Sequence, residues 1–356
     1  MSRADRGAML AVTGRLPPRA VLWLGALLVL AAFVAGSARG AYAIAPGQLW
    51  TVLANALSGG DASSTEHLVF MNIRLPRLVL GIAAGAGLGL AGALMQGLFR
   101  NPLADPGLVG ISSGAALAAG ATIVLGSWWF PDLPRTLGSW TLVAMAFLGG
   151  IGVTLGVYAL AQGNGGTHIG LMLLAGVAVN ALAGAGLGFL NFIATDEQLR
   201  NIQFWLLGSL GGARWSAVAL VGTIVLIAGC AGLASATALN AIALGEAQAA
   251  MLGVDVEHVK RSVILATALA VGAVTATTGI IGFVGLIAPH WVRLVAGPDH
   301  RVVLPGSALL GAALVLAADV VARTVMAPAE LPLGVLTAAI GVPMFLFMLR
   351  HFRERI

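Results

Sequence analysis

A chain of 356 residues with 59% hydrophobic and only 9% charged residues, where ordinary soluble proteins carry about 25% charged, cannot fold as a water-facing globule. Its formal charge of +5 is accompanied by no RNP, zinc-finger or basic-stripe pattern, which excludes nucleic acid as a partner and leaves charge to set membrane orientation. Cys230 is the single cysteine, so an internal disulfide and a cysteine-built metal cluster are excluded as well.

Glycine-punctuated apolar runs without strict alternation predict an all-α polytopic membrane protein and argue against a barrel. Residues 1–20 read as a basic cytoplasmic N-terminus carrying Arg3, Arg6, Arg15 and Arg19. The run from Val21 to Ala35, followed by Ala41-Tyr42-Ala43, has the outline of a secretory signal peptide. The basic stretch equally suits the first span of a multispan protein, and we read it as helix 1. Further runs lie at Leu78 to Leu98, Gly107 to Gly126, Trp140 to Ala161, Ile169 to Ile193, Trp215 to Ala234, Val263 to Val295, Val302 to Ala322 and Leu333 to Leu349. At about 1.5 Å per residue the Val263 to Val295 run is too long for one span, and Gly279 and Gly282 mark the expected break. The prediction is therefore ten helices in one transmembrane domain over residues 21–350, with both termini cytoplasmic and residues 351–356 as a short tail. Twelve of the 19 basic residues, Arg100, Lys260, Arg261, Arg293, Arg301 and Arg350 among them, then fall on the cytoplasmic side, in agreement with the positive-inside rule.

In the second span Gly81, Gly85 and Gly89, continued by Ala93 and Gly97, place small residues on one face. That is a surface for close helix packing in lipid. Gly87-x-Gly89-x-x-Gly92 matches a dinucleotide fingerprint and Gly110-Ile-Ser112-Ser-Gly114 a nucleophile elbow, but neither has the strand that such a motif requires. No catalytic residue is assigned. The six histidines show no paired ligand spacing on one helix, and no metal site is predicted. No Gly-x-x-x-x-Gly-Lys-Ser/Thr loop occurs and the only lysine, Lys260, is not preceded by glycines. The chain cannot hydrolyse ATP by a P-loop mechanism. An ion-coupled secondary transporter would need acidic groups in mid-membrane, and the one candidate, Asp319, stands four residues before Arg323 as in a local ion pair. The segment from Ser235 to Arg261 reads as two short helices broken at a glycine, with Leu244, Gly245, Glu246, Ala250, Leu252 and Gly253 among its residues. On pattern alone it suits a docking elbow or an amphipathic connector on the membrane surface.

Arg74-Leu-Pro-Arg77, the run from Gly92 to Gly110 with its Arg100-Asn-Pro-Leu-Ala-Asp-Pro core, the segment from Leu244 to Arg261, Gly282-Phe-Val-Gly-Leu-Ile-Ala-Pro-His290 and Ala329-Glu-Leu-Pro-Leu-Gly334 resemble the FecCD-type permeases. These are membrane subunits of type II ABC importers for siderophores, haem and vitamin B12. The resemblance runs in order from about Leu49 to Arg350. It implies a bacterial inner-membrane protein paired with a second copy, two ATP-binding cassette subunits that use ATP and Mg, and a periplasmic substrate-binding protein. This chain would bind no cofactor of its own. The resemblance further implies that Leu244 to Val254 are coupling helices, that Arg74, Arg77 and Arg323 receive carboxylates of the binding protein, and that the cytoplasmic gate lies at Asn164, Gly165, Gly166 and Thr167. Read without the resemblance, the arginines are equally membrane-interface anchors and the loop a plain turn.

For cargo, Thr195-Asp-Glu-Gln-Leu-Arg200 through Trp205 is most similar to haem permeases, with ferric siderophore and cobalamin as alternatives. Arg200 would meet a propionate or serve as an interfacial anchor. Met95, Gln96 and Asn180 are the remaining pathway candidates, or ordinary packing and hydrogen-bonding residues.

Overall fold

The computed structural model describes residues 15–40, 47, 50–52, 64–129, 138–163 and 166–353. Residues 1–14, Ala41-Tyr42-Ala43, Asn164, Gly165 and residues 354–356 lie outside them. Among the described residues the protein is all-α apart from one small hairpin, and seven helices are long and apolar enough to cross a membrane, with three shorter apolar ones beside them. We number these ten α1 (Pro18–Ala38), α2 (Leu75–Leu98), α3 (Ile111–Trp129), α4 (Trp140–Leu160), α5 (Ile169–Ile193), α6 (Trp215–Ala234), α7 (Val256–Thr278), α8 (Val284–Ala296), α9 (His300–Thr324) and α10 (Leu333–Arg353).

Helix α2 is the axis of the bundle, packed by α9, α6, α8 and α7. Its small-residue face is what lets it sit there. A Cβ on Gly85 would overlap the Gly311 carbonyl, one on Gly89 the Ser307 carbonyl and one on Gly92 the Gly285 carbonyl. The backbones of α2, α8 and α9 therefore approach closely, which is how helices gain packing energy in lipid, where burying leucine gains little over leaving it among acyl chains. The α2 entry is continuous with a helical segment Thr65–Val69 and a π-turn over Phe70–Arg74.

The expected break between α7 and α8 is present, with Gly279 at φ 72° and Phe283 at φ 66°. Irregular backbone at membrane depth survives only where its polar groups find partners in the protein. Here the Ser209 N–H donates to Thr278 O at 2.7 Å, the Gly279 N–H to Thr275 O at 2.9 Å and Thr278 Oγ1 to Gly279 O at 3.2 Å. The 13 residues of α8 rise about 20 Å, well short of the roughly 30 Å hydrocarbon thickness, so this span is completed by that irregular segment. A second dip, residues 99–110, returns into the bundle before α3 and is held by Asn180 Nδ2, which donates to Gly107 O at 3.2 Å.

Candidate functional site

Chemistry-bearing side chains gather at the two ends of the bundle. At one end α6 continues into helices Ala236–Ile242 and Glu246–Met251, joined at Gly245 with φ 129°. This backbone conformation favours glycine, so the elbow expected from the sequence has its physical cause in Gly245. Ala236, Leu239, Ile242 and Ala249 pack inward, while Leu244, Met251 and Leu252 are 68%, 80% and 67% exposed. Ala250 and Gly253 are exposed beside them. A contiguous exposed apolar patch of this kind is what a partner surface or a membrane-surface connector presents. Met251 was not singled out by the sequence, although it stands between Ala250 and Leu252.

Polar contacts fix this elbow to the bundle on one side through Asn240. Its Nδ2 donates to Asp299 Oδ1 at 2.7 Å and its Oδ1 accepts the His300 N–H at 2.9 Å. Asp299 also caps α9 by accepting the Arg301 N–H, and these contacts hold its carboxyl below the usual range against partial burial, which acts the other way. On the other side Lys260, 2% exposed, meets Glu246 Oε2 at 2.8 Å, Glu257 Oε1 at 3.1 Å and Thr167 O at 2.8 Å.

Thr167 belongs to a two-strand hairpin between α4 and α5, β1 (Gln162–Gly163) paired antiparallel with β2 (Gly166–Thr167). Gly166 has φ 107° and lies against the Glu257 side chain. Glu257 accepts from Thr167 N at 2.9 Å and from Thr167 Oγ1 at 2.7 Å. Two of the four predicted gate residues are thus placed in a built hairpin. The other two, Asn164 and Gly165, fall outside the described residues.

At the opposite end Arg74, Arg77 and Arg323 lie close together, and they are not free rim charges. Their exposures are 4%, 7% and 7%. Arg77 reaches Asp319 Oδ1 at 2.8 Å and forms a two-pronged contact with Glu330, each prong 2.8 Å. Arg323 lies 3.0 Å from Asp319 Oδ2, the local pair that the spacing implied. Arg74 NH1 donates to Ser37 O at 2.5 Å. The reason is electrostatic: fully buried Asp319 requires cations, and α2 and α9 supply them. Glu330 is the most exposed member, its side chain 43% exposed. Its carboxyl is held below the ordinary range, first by the Arg77 hydrogen bonds and then by the fields of Arg77 and Arg323, while partial burial opposes them. The sequence reading did not connect Glu330 or Asp319 with Arg77, residues about 240 to 250 positions apart in the chain.

Three of the four pathway candidates occupy other places. Met95 is fully buried in the bundle. Gln96 donates to the Gly285 and Leu286 carbonyls and accepts from Arg293. Asn180 accepts from Ser113 Oγ at 2.5 Å and holds the Gly107 carbonyl. These are the packing and interhelical hydrogen-bond contacts that the sequence left open, with Met95 and Gln96 buried within the chain and Asn180 half-buried. Arg200 is exposed on the helix Asp196–Leu207, which starts with a Thr195–Gln198 capping box. Among the described residues no cluster of His, Cys, Asp and Glu could hold a metal.

A family model, the FecCD transport family, matches residues 27–351. The hemin transport system permease protein HmuU of Yersinia pestis is 43% identical over 346 residues, covering 97% of this chain and 99% of that protein. The cobalamin import system permease protein BtuC of Halobacterium salinarum is 44% identical over 82% of this chain and 76% of its own length. The vitamin B12 import system permease protein BtuC of Salmonella typhimurium is 38% identical over 93% of this chain and 95% of its own. A solved structure described as an inward-facing metal-chelate type ABC transporter superposes with a TM-score of 0.81 at 29% identity, over 94% of this chain and 99% of that one.

Proposed function

The chain belongs to the FecCD transport family, and from that membership we propose that it is the membrane-spanning permease of an ATP-driven importer that carries haem across the inner membrane. It works as a transport subunit, with ATP and Mg consumed by two partner ATPases and cargo delivered by a periplasmic binding protein. The observation that carries the cargo assignment is the end-to-end similarity to the hemin permease, over 97% of this chain and 99% of that protein. The cobalamin relative of equal identity covers 82% and 76%.

In this reading both termini are cytoplasmic, and the Leu244, Met251 and Leu252 patch seats in the ATPase. A second copy packs beside α5, where Gly184 and Gly188 have open space next to them and leave room for a close helix crossing. The pathway runs between the copies, bordered by α5 and α10 and not by Met95 or Gln96. Arg200 stands at its outer mouth. A docking carboxylate from the binding protein displaces Glu330 from Arg77, exchanging one two-pronged ion pair for another. Such an exchange adjusts recognition and association rate more than net affinity.

The test is uptake into proteoliposomes containing the permease, its ATPase and its binding protein, with hemin, a ferric siderophore and cobalamin offered separately. Hemin accumulation that requires ATP supports the assignment. Preference for another chelate overturns the cargo alone, and gradient-driven uptake without an ATPase overturns the importer.

A further inference from the structure

Lys260 is the only lysine in the chain, and it is nearly excluded from solvent. An ammonium group has three donors and no acceptor. All three are used here, and each goes to a different element: the carbonyl of Thr167 in β2, the carboxylate of Glu246 at the head of the coupling helix, and the carboxylate of Glu257 in the first turn of α7. Glu257 closes the cluster by clamping both the N–H and the hydroxyl of Thr167. Behind it, Tyr158 at the end of α4 lies within hydrogen-bond reach of Thr167 Oγ1 and receives a bond from Arg261 Nε at 3.1 Å.

A nearly buried ammonium that gives up one of these partners is left with an unsatisfied donor, and losing either carboxylate halves its counter-charge. The coupling helix and the hairpin therefore cannot separate by an ångström or more unless Lys260 loses a bond. Hydrophobic contact would not impose this, because apolar surfaces slide at small cost, whereas hydrogen bonds weaken steeply with distance and angle.

We propose that Lys260 is a positioning residue that makes the coupling helix and the gate hairpin move as one body, so that a push on Glu246 from the ATPase is delivered to Thr167. This rests on the importer reading and deepens it. The device is local: from Glu246 to Thr167 it is one side chain long, and it requires no propagation through the membrane-embedded core. Glu257 is its second arm: it joins the hairpin to α7, and its Oε1 is itself held by Lys260.

The complete importer, with ATPase and binding protein, is reconstituted with the wild-type chain, Lys260→Met, Lys260→Arg or Glu257→Gln, and ATP hydrolysis and hemin uptake are measured on the same vesicles. Lys260→Met is expected to co-purify with the ATPase and hydrolyse ATP, while uptake per ATP falls about tenfold, the loss of one coupling of ordinary size. Lys260→Arg, which keeps the charge and the donors, is expected to recover most of the ratio. Hydrolysis and uptake falling in equal proportion, or an unchanged ratio, would overturn the relay. If Lys260→Met does not assemble, Glu257→Gln, which preserves volume and the Glu246–Lys260 pair, decides in the same way. Amide exchange at Thr167 in the isolated permease gives a readout independent of cargo and ATPase. It should speed up in Lys260→Met and Glu257→Gln, and unchanged exchange in both would refute the proposal even if the importer reading fails for other reasons.

Discussion

Glu330 shows how a single residue can serve both stability and recognition. Its carboxylate is held below the usual range by Arg77, so its contribution to stability is fully present above the ordinary carboxylate pKa of about 4.3 and is lost as pH falls through the depressed folded value. Thermal unfolding of wild type and Glu330→Gln in detergent should therefore differ at pH 7, with the gap narrowing as pH falls below the ordinary carboxylate range. A gap independent of pH would mean that the contact is not electrostatic. In the exchange picture of docking, Glu330→Gln leaves Arg77 available and should raise affinity for the binding protein by severalfold, a difference readable by titration at fixed salt. Arg74, Arg77 and Arg323 were visible in the sequence as a set of arginines. That they are buried and paired was not, because Asp319 and Glu330 reach Arg77 only after α2, α9 and the entry to α10 have been brought together.

At the scale of single helices, the stripe Gly81, Gly85, Gly89 was legible because i, i+4 small residues make one face whatever the partner is. The identity of the partner was not legible. The structure gives α9 and α8, with Gly311, Ser307 and Gly285 carbonyls filling the space where a Cβ would stand. Gly92→Leu should separate α2 from α8 at a cost of about 1–3 kcal/mol or more, seen as a lowered unfolding temperature of the purified permease. The elbow at Gly245 gives a contrasting case, since its patch of Leu244, Met251 and Leu252 is exposed and contributes little to the fold. Met251→Glu should leave the melting temperature of the isolated permease within about 1 °C, as surface changes usually do, yet abolish co-purification with the ATPase. Retained co-purification would remove the patch from the interface.

For the whole molecule, the question is what lies against α5. In lipid an exposed leucine is unremarkable, so the exposure of Leu174, Leu182, Phe189 and Phe192 decides nothing by itself. Gly184 and Gly188 stand on α5 with no neighbouring atom nearby, as Gly152 and Gly156 do on α4 and Gly222 on α6, whereas the glycines of α2 are filled by other helices; a substitution on α5 tests whether a second copy lies there. Replacing Gly184 with Leu should be tolerated by the single chain and should disrupt a second copy packed there. Native mass spectrometry should then find the wild type as a dimer and the variant as a monomer. Two dimers of equal stability would place the interface elsewhere.

The sequence by itself determined the solvent, the apolar runs that become α1 to α10, the break after Thr278 and the absence of an ATP-hydrolysing loop. Each of these follows from one-dimensional quantities: run length against bilayer thickness, glycine placement, and the presence or absence of a contiguous motif. The tertiary structure alone decided which charges are neutralised and by what, because buried ion pairs join residues far apart in the chain. It took Met95, Gln96 and Asn180 into the packing, closed Arg77 around Asp319 and Glu330, and brought Glu246, Glu257 and Thr167 onto one lysine. A charge excluded from water must find its partner in space, and that constraint has no period or spacing to be read along the chain.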